Sequence, residues 1–304
     1  MTVSTGPVQA DAPIGIFDSG VGGLSVWRAI RQALPGEDLL YLADSGHAPY
    51  GDRPAQWIQE RTALLTRFLL DQGCKAIVIA CNTATMVAAA FLRARFPIPI
   101  IAIEPAIKPA ALISHSRSIA LMATSRTVDS KGLDDLVRRH AADIELIRLP
   151  CPGLADRVEA LQLGGPELEQ ALRTLLAPAL QSQADTLVLG CTHYPFLRPT
   201  IETICAGRFQ IIEPSFAVAA QVRRRLNDAH CLSARQQGGK NEFISSAESA
   251  RASEIIRALS GLPQIHLRSL PELAQTSLPA HGINTAAARL AIHTSSTGTS
   301  WKIC

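Results

Sequence analysis

The chain has 304 residues, of which 47% are apolar and 18% charged, with a formal net charge of +3. This composition fits a globular protein large enough for two cores and excludes a disordered chain. The nearly neutral charge argues against a nucleic-acid partner. No apolar run approaches the roughly 20 residues that cross a membrane, and Met1 to Pro13 lacks a secretion-signal pattern. We therefore expect a cytoplasmic protein.

The first ordered region, after a leader of residues 1–12 that we expect to be flexible, is predicted to be a strand, a glycine-rich loop and a helix. The strand is Ile14-Gly15-Ile16-Phe17, the loop is Asp18-Ser19-Gly20-Val21-Gly22-Gly23, and the helix runs from Leu24 to Leu34. Such a loop at a helix amino terminus favours an anion. Because the spacing matches no nucleotide fingerprint, a small carboxylate is the better prediction. A simple tight turn would explain the glycines, but not Asp18 and Ser19 at the strand tip.

A second polar loop follows the strand predicted from Asp38 to Leu42. It places Tyr50 between Pro49 and Gly51, which suits the wall of a pocket. Loops rich in turn-forming residues also occur without any function, so both interpretations stay open for this segment.

Two apolar strands each end in a cysteine followed by hydrogen-bonding side chains. The strand Ala76-Ile77-Val78-Ile79-Ala80 leads into Cys81-Asn82-Thr83, and Leu187-Val188-Leu189-Gly190 leads into Cys191-Thr192-His193. Open α/β sheets bind ligands at the carboxyl ends of their strands. The seven cysteines include no C-x-x-C pair, which argues against a disulfide framework and against a metal site.

Strands and helices alternate regularly up to about Leu273. This alternation predicts an α/β fold of two similar, doubly wound and mainly parallel-sheet domains that face each other across a cleft, with one thiol in each. A hydroxyl-rich turn that contains Thr124 follows the strand from Ser118 to Met122 and begins a predicted helix that carries Leu133, Leu136 and Val137. A further helix over residues 153–163 carries Glu159. Residues 274–304 show no periodicity, and we expect a flexible tail.

Two opposed thiols can move a proton on and off a carbon acid. One thiolate removes the proton from one face while a protonated thiol donates one to the other face, which inverts the stereochemistry. Asp18 can lie near Cys81 and His193 near Cys191, and hydroxyl and amide groups can hold a carboxylate substrate; these are Ser19, Asn82, Thr83 and Thr192. A Cys-His hydrolase would need only one thiol, and a non-catalytic amino-acid-binding protein would need none.

Four motifs together resemble those of the glutamate racemase family. They are Phe17-Asp18-Ser19-Gly20-Val21-Gly22-Gly23-Leu24-Ser25-Val26, Pro49-Tyr50-Gly51, Ala80-Cys81-Asn82-Thr83-Ala84 and Gly190-Cys191-Thr192-His193-Tyr194-Pro195. The resemblance implies an isomerase that interconverts L-glutamate and D-glutamate without a cofactor or metal, and that supplies D-glutamate for peptidoglycan, cell wall and cell shape. A related racemase for aspartate or hydantoins is the alternative.

The resemblance also implies a role for each residue. Cys81 would act on D-glutamate and Cys191 on L-glutamate, assisted by Asp18 and His193, with Glu159 as an auxiliary group. The residues implied to contact the substrate are Asp18, Ser19, Tyr50, Gly51, Asn82, Thr83, Thr124, Thr192 and His193.

At the level of the whole chain, the resemblance implies one domain made of residues 13–106 with 213–273, and another made of 107–212. It further implies a homodimer and a small-molecule activator from the peptidoglycan pathway. Two segments depart from the commoner family pattern: Glu213 stands where Asp is more frequent, and Asp44-Ser45-Gly46-His47 replaces a loop in which Thr and Arg are frequent.

Overall fold

The fold is built on two parallel β-sheets. The computed structural model describes residues 9–247 and 249–270, and the strands of this part are ten in number. They are β1 (Ile14–Asp18), β2 (Leu39–Ala43), β3 (Ala76–Ile79), β4 (Ile100–Ala102), β5 (Ser118–Ala123), β6 (Glu145–Pro150), β7 (Thr186–Leu189), β8 (Gln210–Ile212), β9 (Asn241–Ser245) and β10 (Leu267–Ser269).

Four strands of the first sheet, β2-β1-β3-β4, have the same relative order as the four strands of the second, β6-β5-β7-β8. The first has the order β10-β9-β2-β1-β3-β4 and the second the order β6-β5-β7-β8, and every pair of neighbouring strands is parallel. In each sheet the strand order reverses around a central strand, β1 in the first and β5 in the second. Ligands of open α/β sheets bind at such reversal points. The predicted α/β class with two parallel sheets is confirmed.

Helices cover the sheets because the central strands are apolar and buried on both faces. The described helices are α1 (Leu24–Ala33), α2 (Ala55–Asp71), α3 (Asn82–Arg93), α4 (Ile107–Ile113), α5 (Ser125–Val128), α6 (Lys131–His140), α7 (Leu154–Glu159), α8 (Pro166–Leu180), α9 (Arg198–Cys205), α10 (Ser215–Asp228) and α11 (Ser249–Ser260). Short 3₁₀ turns occupy Ser45–His47, Tyr50–Asp52 and Tyr194–Leu197.

Several elements differ from the sequence prediction. The helix expected over 153–163 ends at Glu159, and Leu161 beyond it has a left-handed φ of 57°. The helix expected after Thr124 is two helices, because the Ser130 side chain accepts the Leu133 N–H at 3.1 Å and starts α6 anew. Helices α4 and α9 and strand β10 are not expected from the sequence pattern. Prolines in α4 and α9 obscured their helical pattern.

The chain crosses between the sheets twice. Strands from residues 14–102 and 241–269 form the first sheet, and strands from 118–212 form the second. The division into domains at residues 106 and 212 stays a prediction. Residues 1–8 of the expected leader and the whole expected tail, 274–304, lie outside the described residues. Within the described ranges no helix has both the length and the apolar character needed to cross a membrane.

Candidate active site

One cavity lies between the carboxyl ends of the two sheets and contains both strand-end thiols. The space in it that a water-sized sphere can occupy is about 30 Å³. The cavity is lined by Ser19, Ala48, Pro49, Tyr50, Gly51, Cys81, Asn82, Thr83, Thr124, Ala155, Asp156, Glu159, Gly190, Cys191, Thr192 and His193. The two cysteines are 5% and 8% exposed, so each sulfur faces an enclosed space rather than open solvent.

Asp18 ends β1 and organises the glycine-rich loop beside the cavity. Its Oδ1 accepts the Ser19 backbone N–H at 2.6 Å, and its Oδ2 accepts the Gly23 N–H and the Thr192 hydroxyl, the latter at 3.2 Å. Burial raises the pKa of this carboxyl above its ordinary value, although the nearby His193 opposes the rise. Asp18 therefore joins the tip of the first sheet to the thiol-bearing loop of the second.

Two glycines of the loop allow second-sheet side chains to come close. A Cβ on Gly20 would lie 1.8 Å from Oε1 of Glu159, and one on Gly22 would lie 2.3 Å from Nδ1 of His193. Neither separation is possible between real atoms. Gly22 is thus required for close packing against the imidazole ring, whereas the Glu159 carboxylate at Gly20 ends a flexible side chain that can move aside.

Cys81 follows β3 and caps helix α3. Its sulfur accepts the Ala84 N–H at 3.4 Å and lies 3.5 Å from the Ser19 hydroxyl. Burial and the negative charge of Asp18 raise the pKa of the Cys81 thiol, and its two hydrogen bonds only partly offset this. Cys81 is accordingly a protonated thiol at neutral pH, which suits a proton donor.

Cys191 begins a chain of polar contacts that continues to a carboxylate. Its sulfur lies 3.6 Å from Nδ1 of His193, whose Nε2 lies 2.8 Å from Oε1 of Glu159. Burial alone would lower the pKa of His193, but the contacts with Cys191 and Glu159 raise it well above its ordinary value. A positively charged ring next to Cys191 would stabilise negative charge on that sulfur.

Polar side chains that follow strands of both sheets lie at the cavity. The Thr83 hydroxyl lies 3.1 Å from that of Thr124 and 3.4 Å from that of Thr127. Both polar atoms of the Asn82 side chain are buried without a hydrogen-bond partner. Buried amides are almost always paired in folded proteins, so Asn82 at this cavity indicates a place for a polar ligand.

Tyr50 and Gly51 form part of the pocket wall, which we define as residues 48–51. The Tyr50 hydroxyl donates to Oδ2 of Asp44 at 2.6 Å, and Arg126 donates from Nε to the Gly51 carbonyl at 2.9 Å. The predicted site residues that follow β1, β3 and β7, the hydroxyl turn and the Tyr50 loop therefore meet around one cavity, whereas Asp18 at the end of β1 lies behind its lining. The Tyr50 hydroxyl already has a hydrogen-bond partner within the protein, Asp44.

Some residues of the site carry no strong sequence signal. Glu159, which the sequence indicated only weakly, also accepts the Val21 N–H at 2.8 Å from across the cleft. Asp156 and Thr127 were not predicted as site residues, and neither was the Asp44–Arg61 pair behind Tyr50. Within residues 9–247 and 249–270, no cluster of three or more His, Cys, Asp or Glu side chains is suited to hold a metal ion.

With this fold and this site, the chain belongs to the Asp/Glu/hydantoin racemase family, whose sequence model matches residues 14–222. The family is one of isomerases. The chain is 46% identical over 261 residues to a glutamate racemase of Ectopseudomonas mendocina, which covers 85% of this chain and 99% of the relative.

Solved structures of glutamate racemases are also similar to this chain. The glutamate racemase isoform RacE1 of Bacillus anthracis superposes with a TM-score of 0.79 at 28% identity, covering 86% of this chain and 98% of that one. The Escherichia coli glutamate racemase, solved in complex with L-glutamate and the activator UDP-MurNAc-ala, has a TM-score of 0.75 at 28% identity and covers 86% and 98%.

Proposed function

We propose that this racemase interconverts L-glutamate and D-glutamate by transferring a proton between two cysteines and the α-carbon, without a cofactor. The observation that carries the proposal is that Cys81 and Cys191 line one cavity from two different sheets, each with a polar neighbour. Proton donors and acceptors on opposite sides of a planar carbanion are what inversion requires. The glutamate racemases that the chain resembles support the choice of substrate.

In the proposed reaction from L-glutamate, the Cys191 thiolate removes the α-proton and the Cys81 thiol delivers a proton to the other face. The bond from carbon to hydrogen breaks on one side, the electron pair remains on the carbanion, and a new bond forms on the other. In the reverse direction the two sulfurs exchange roles. The raised pKa of His193 supports the first step, and the raised pKa of Cys81 supports the second.

Substrate binding is proposed for the polar groups that surround the two sulfurs. The unpaired amide of Asn82, the hydroxyls of Thr83 and Thr124, and the backbone at the Asp18 loop can hold the carboxylates. Negative charge that develops on the α-carboxylate would be stabilised by the same donors. The remaining substrate contacts are proposed for Ser19, Tyr50, Gly51, Thr192 and His193, which all line the cavity.

We further propose that D-glutamate made by this protein supplies peptidoglycan synthesis in the cytoplasm, where reducing conditions keep both thiols free. Activation by a small molecule of that pathway is supported by the activator in the Escherichia coli structure. The homodimer is supported by the family resemblance alone, and light scattering with and without glutamate would test it.

The decisive experiment incubates the purified protein with L-glutamate in deuterated water without added cofactor. Optical rotation and deuterium at the α-carbon are followed together. We expect D-glutamate that carries α-deuterium. Inversion of aspartate or a hydantoin, with none of glutamate, would overturn the substrate assignment, and inversion without solvent deuterium would overturn the proton-transfer mechanism.

A further inference from the structure

Behind the pocket wall lies a buried ion pair between Asp44 and Arg61. Asp44 follows β2 and Arg61 projects from the middle of α2, and their side chains are 0% and 3% exposed. The guanidinium contacts both carboxylate oxygens, from Nε to Oδ2 at 2.8 Å and from Nη2 to Oδ1 at 2.6 Å. This two-point geometry fixes the orientation of the carboxylate as well as its position.

The fixed carboxylate holds Tyr50. The Tyr50 hydroxyl donates to Oδ2 of Asp44 at 2.6 Å, and the ring packs edge-on against Trp57 with centroids 5.4 Å apart. The side chain is 1% exposed and packs in the same apolar cluster as Cys81. The Arg61 guanidinium also interacts with Tyr50 itself, so the position of Tyr50 at the cavity that contains Cys81 is defined by the buried pair as a whole together with one ring contact.

The pocket wall and the segment just before it have other attachments. Arg126 donates a hydrogen bond to the Gly51 carbonyl at 2.9 Å, and the Gly46 N–H donates to the Ser246 hydroxyl at 3.0 Å.

The Asp44 carboxylate is charged at neutral pH. Burial would raise its pKa, but the bonds with Arg61, His47 and Tyr50 lower it to about 2. The Arg61 guanidinium contacts this carboxylate, and Nδ1 of His47 lies 3.1 Å from its Oδ1.

Stability is a poor explanation for this pair. A buried ion pair often contributes no more to folding than apolar side chains of the same volume, whereas it does define geometry. We propose that Asp44 and Arg61 are positioning residues of the active site, which fix Tyr50 and through it the pocket wall for substrate binding. The part of this inference that concerns substrate rests on the proposed function.

The kinetic test uses Tyr50→Phe and Arg61→Lys, with Arg198→Lys as the matched control. Arg198 forms an exposed pair with Glu202, and neither residue lines the cavity. We expect KM for L-glutamate to rise roughly tenfold in each of the first two variants, as expected for losing one charge-assisted hydrogen bond, with kcat changed less than about threefold. The control should match the wild type. A fall in kcat at constant KM would overturn the proposal.

The double variant Tyr50→Phe/Arg61→Lys tests whether the two residues act in series. If Arg61 acts on the substrate through Tyr50, the double variant should resemble the more impaired single variant, because the second substitution removes nothing further. Effects on KM that multiply would overturn the proposed sequence from Arg61 through Asp44 to Tyr50.

A measurement on the protein alone separates this inference from the proposed function. Amide hydrogen exchange of a peptide spanning residues 45–53 should become at least about fivefold faster in both variants, while a peptide from β7 keeps its wild-type rate. This result holds whichever substrate the enzyme uses. Unchanged exchange of the loop peptide, or an equal increase in both peptides, would overturn the positioning role.

Discussion

The hydroxyl of Thr192 donates a hydrogen bond to Oδ2 of Asp18 at 3.2 Å, across the cleft between the two sheets. Thr192, which precedes His193, is thus bonded to the end of β1, the strand that lies beside the one leading to Cys81. A second bond runs beside it, from the Ser25 hydroxyl to the Thr192 carbonyl at 3.0 Å. The loop that carries Cys191 is consequently held against the end of β1 and the start of α1.

Replacing Thr192 with Val tests this connection, because Val keeps the shape and loses the hydroxyl. We expect the free energy of unfolding to fall by about 1 to 2 kcal/mol, the usual contribution of such a buried hydrogen bond. Urea denaturation measures the change. Thr192→Ser, which keeps the donor, should lose less, and a Val variant as stable as the wild type would contradict the expectation.

Replacing either active-site cysteine should stop racemisation. We expect Cys81→Ala and Cys191→Ala each to lower kcat by at least about 100-fold, because each would remove the proposed proton carrier for one face. Circular dichroism measures inversion, and calorimetry measures whether glutamate still binds. Cys205→Ala, at a buried thiol outside the cavity, should retain the wild-type rate. Substantial turnover in either active-site variant would refute the two-base mechanism.

His193→Asn should affect the two directions of proton abstraction unequally. Since the enantiomers have equal free energy, kcat/KM must be equal in both directions, and the asymmetry is measured by isotope effects. We expect the primary deuterium effect to increase for α-deuterated L-glutamate and to decrease for the D enantiomer, because abstraction by Cys191 becomes the slower step. Asp18→Asn should show the reverse pattern. Equal isotope effects for both enantiomers would exclude the proposed pairing.

Adding one methyl group to the glycine-rich loop should displace His193. A Cβ at position 22 would lie 2.3 Å from Nδ1 of His193, and misplacement of a catalytic group by about 1 Å costs roughly 100-fold in rate. We expect Gly22→Ala to lower kcat by about that factor. Gly164→Ala is the matched control, because its Cβ would meet nothing within 4 Å. Equal activity of the two variants would show that His193 tolerates displacement.

The pKa of Cys81 should be visible in its alkylation by iodoacetamide, followed by mass spectrometry of its peptide. Because burial raises this pKa above the ordinary value of 9.0, the thiolate fraction should keep increasing beyond that pH. Asp18→Asn removes a negative charge and should shift the profile to lower pH. A wild-type midpoint below 9.0 or a shift in the other direction would contradict the electrostatic argument.

The same raised pKa has a consequence for stability. The folded protein holds the Cys81 proton more tightly than the unfolded chain, so this group stabilises the fold below the ordinary thiol pKa and loses that contribution as pH rises above it. Cys81→Ala should therefore reduce the loss of stability in alkaline urea denaturation. An unchanged pH dependence would indicate that other groups cause it.

The sequence was sufficient to locate the two thiols, because each follows a short apolar run that ends at a buried strand. In a parallel sheet the carboxyl ends of the strands lie along one edge. The sequence pattern alone therefore predicts that Asp18, Cys81 and Cys191 lie near a common cleft. Hydrophobic periodicity and strand-end chemistry are local properties, which a single sequence displays directly.

Contacts between distant segments could not be predicted in this way. Glu159 reaches Val21 across 138 positions of the chain, and Arg61 lies in the middle of a helix whose pattern suggests an ordinary amphipathic segment. Neither has a neighbour in sequence that indicates its partner. Their placement depends on how α7 and α2 pack, which is a property of the assembled fold.

Strand β9 comes from the last part of the described chain and pairs with β2, from Leu39 opposite Asn241 to Ala43 opposite Ser245. During synthesis on the ribosome, β2 therefore has an unpaired hydrogen-bonding edge while all strands of the second sheet emerge. Exposed edges of this kind pair readily with other chains. The emergence of residues 241–245 is the event that covers this edge, so a chain truncated before β9 should associate through β2.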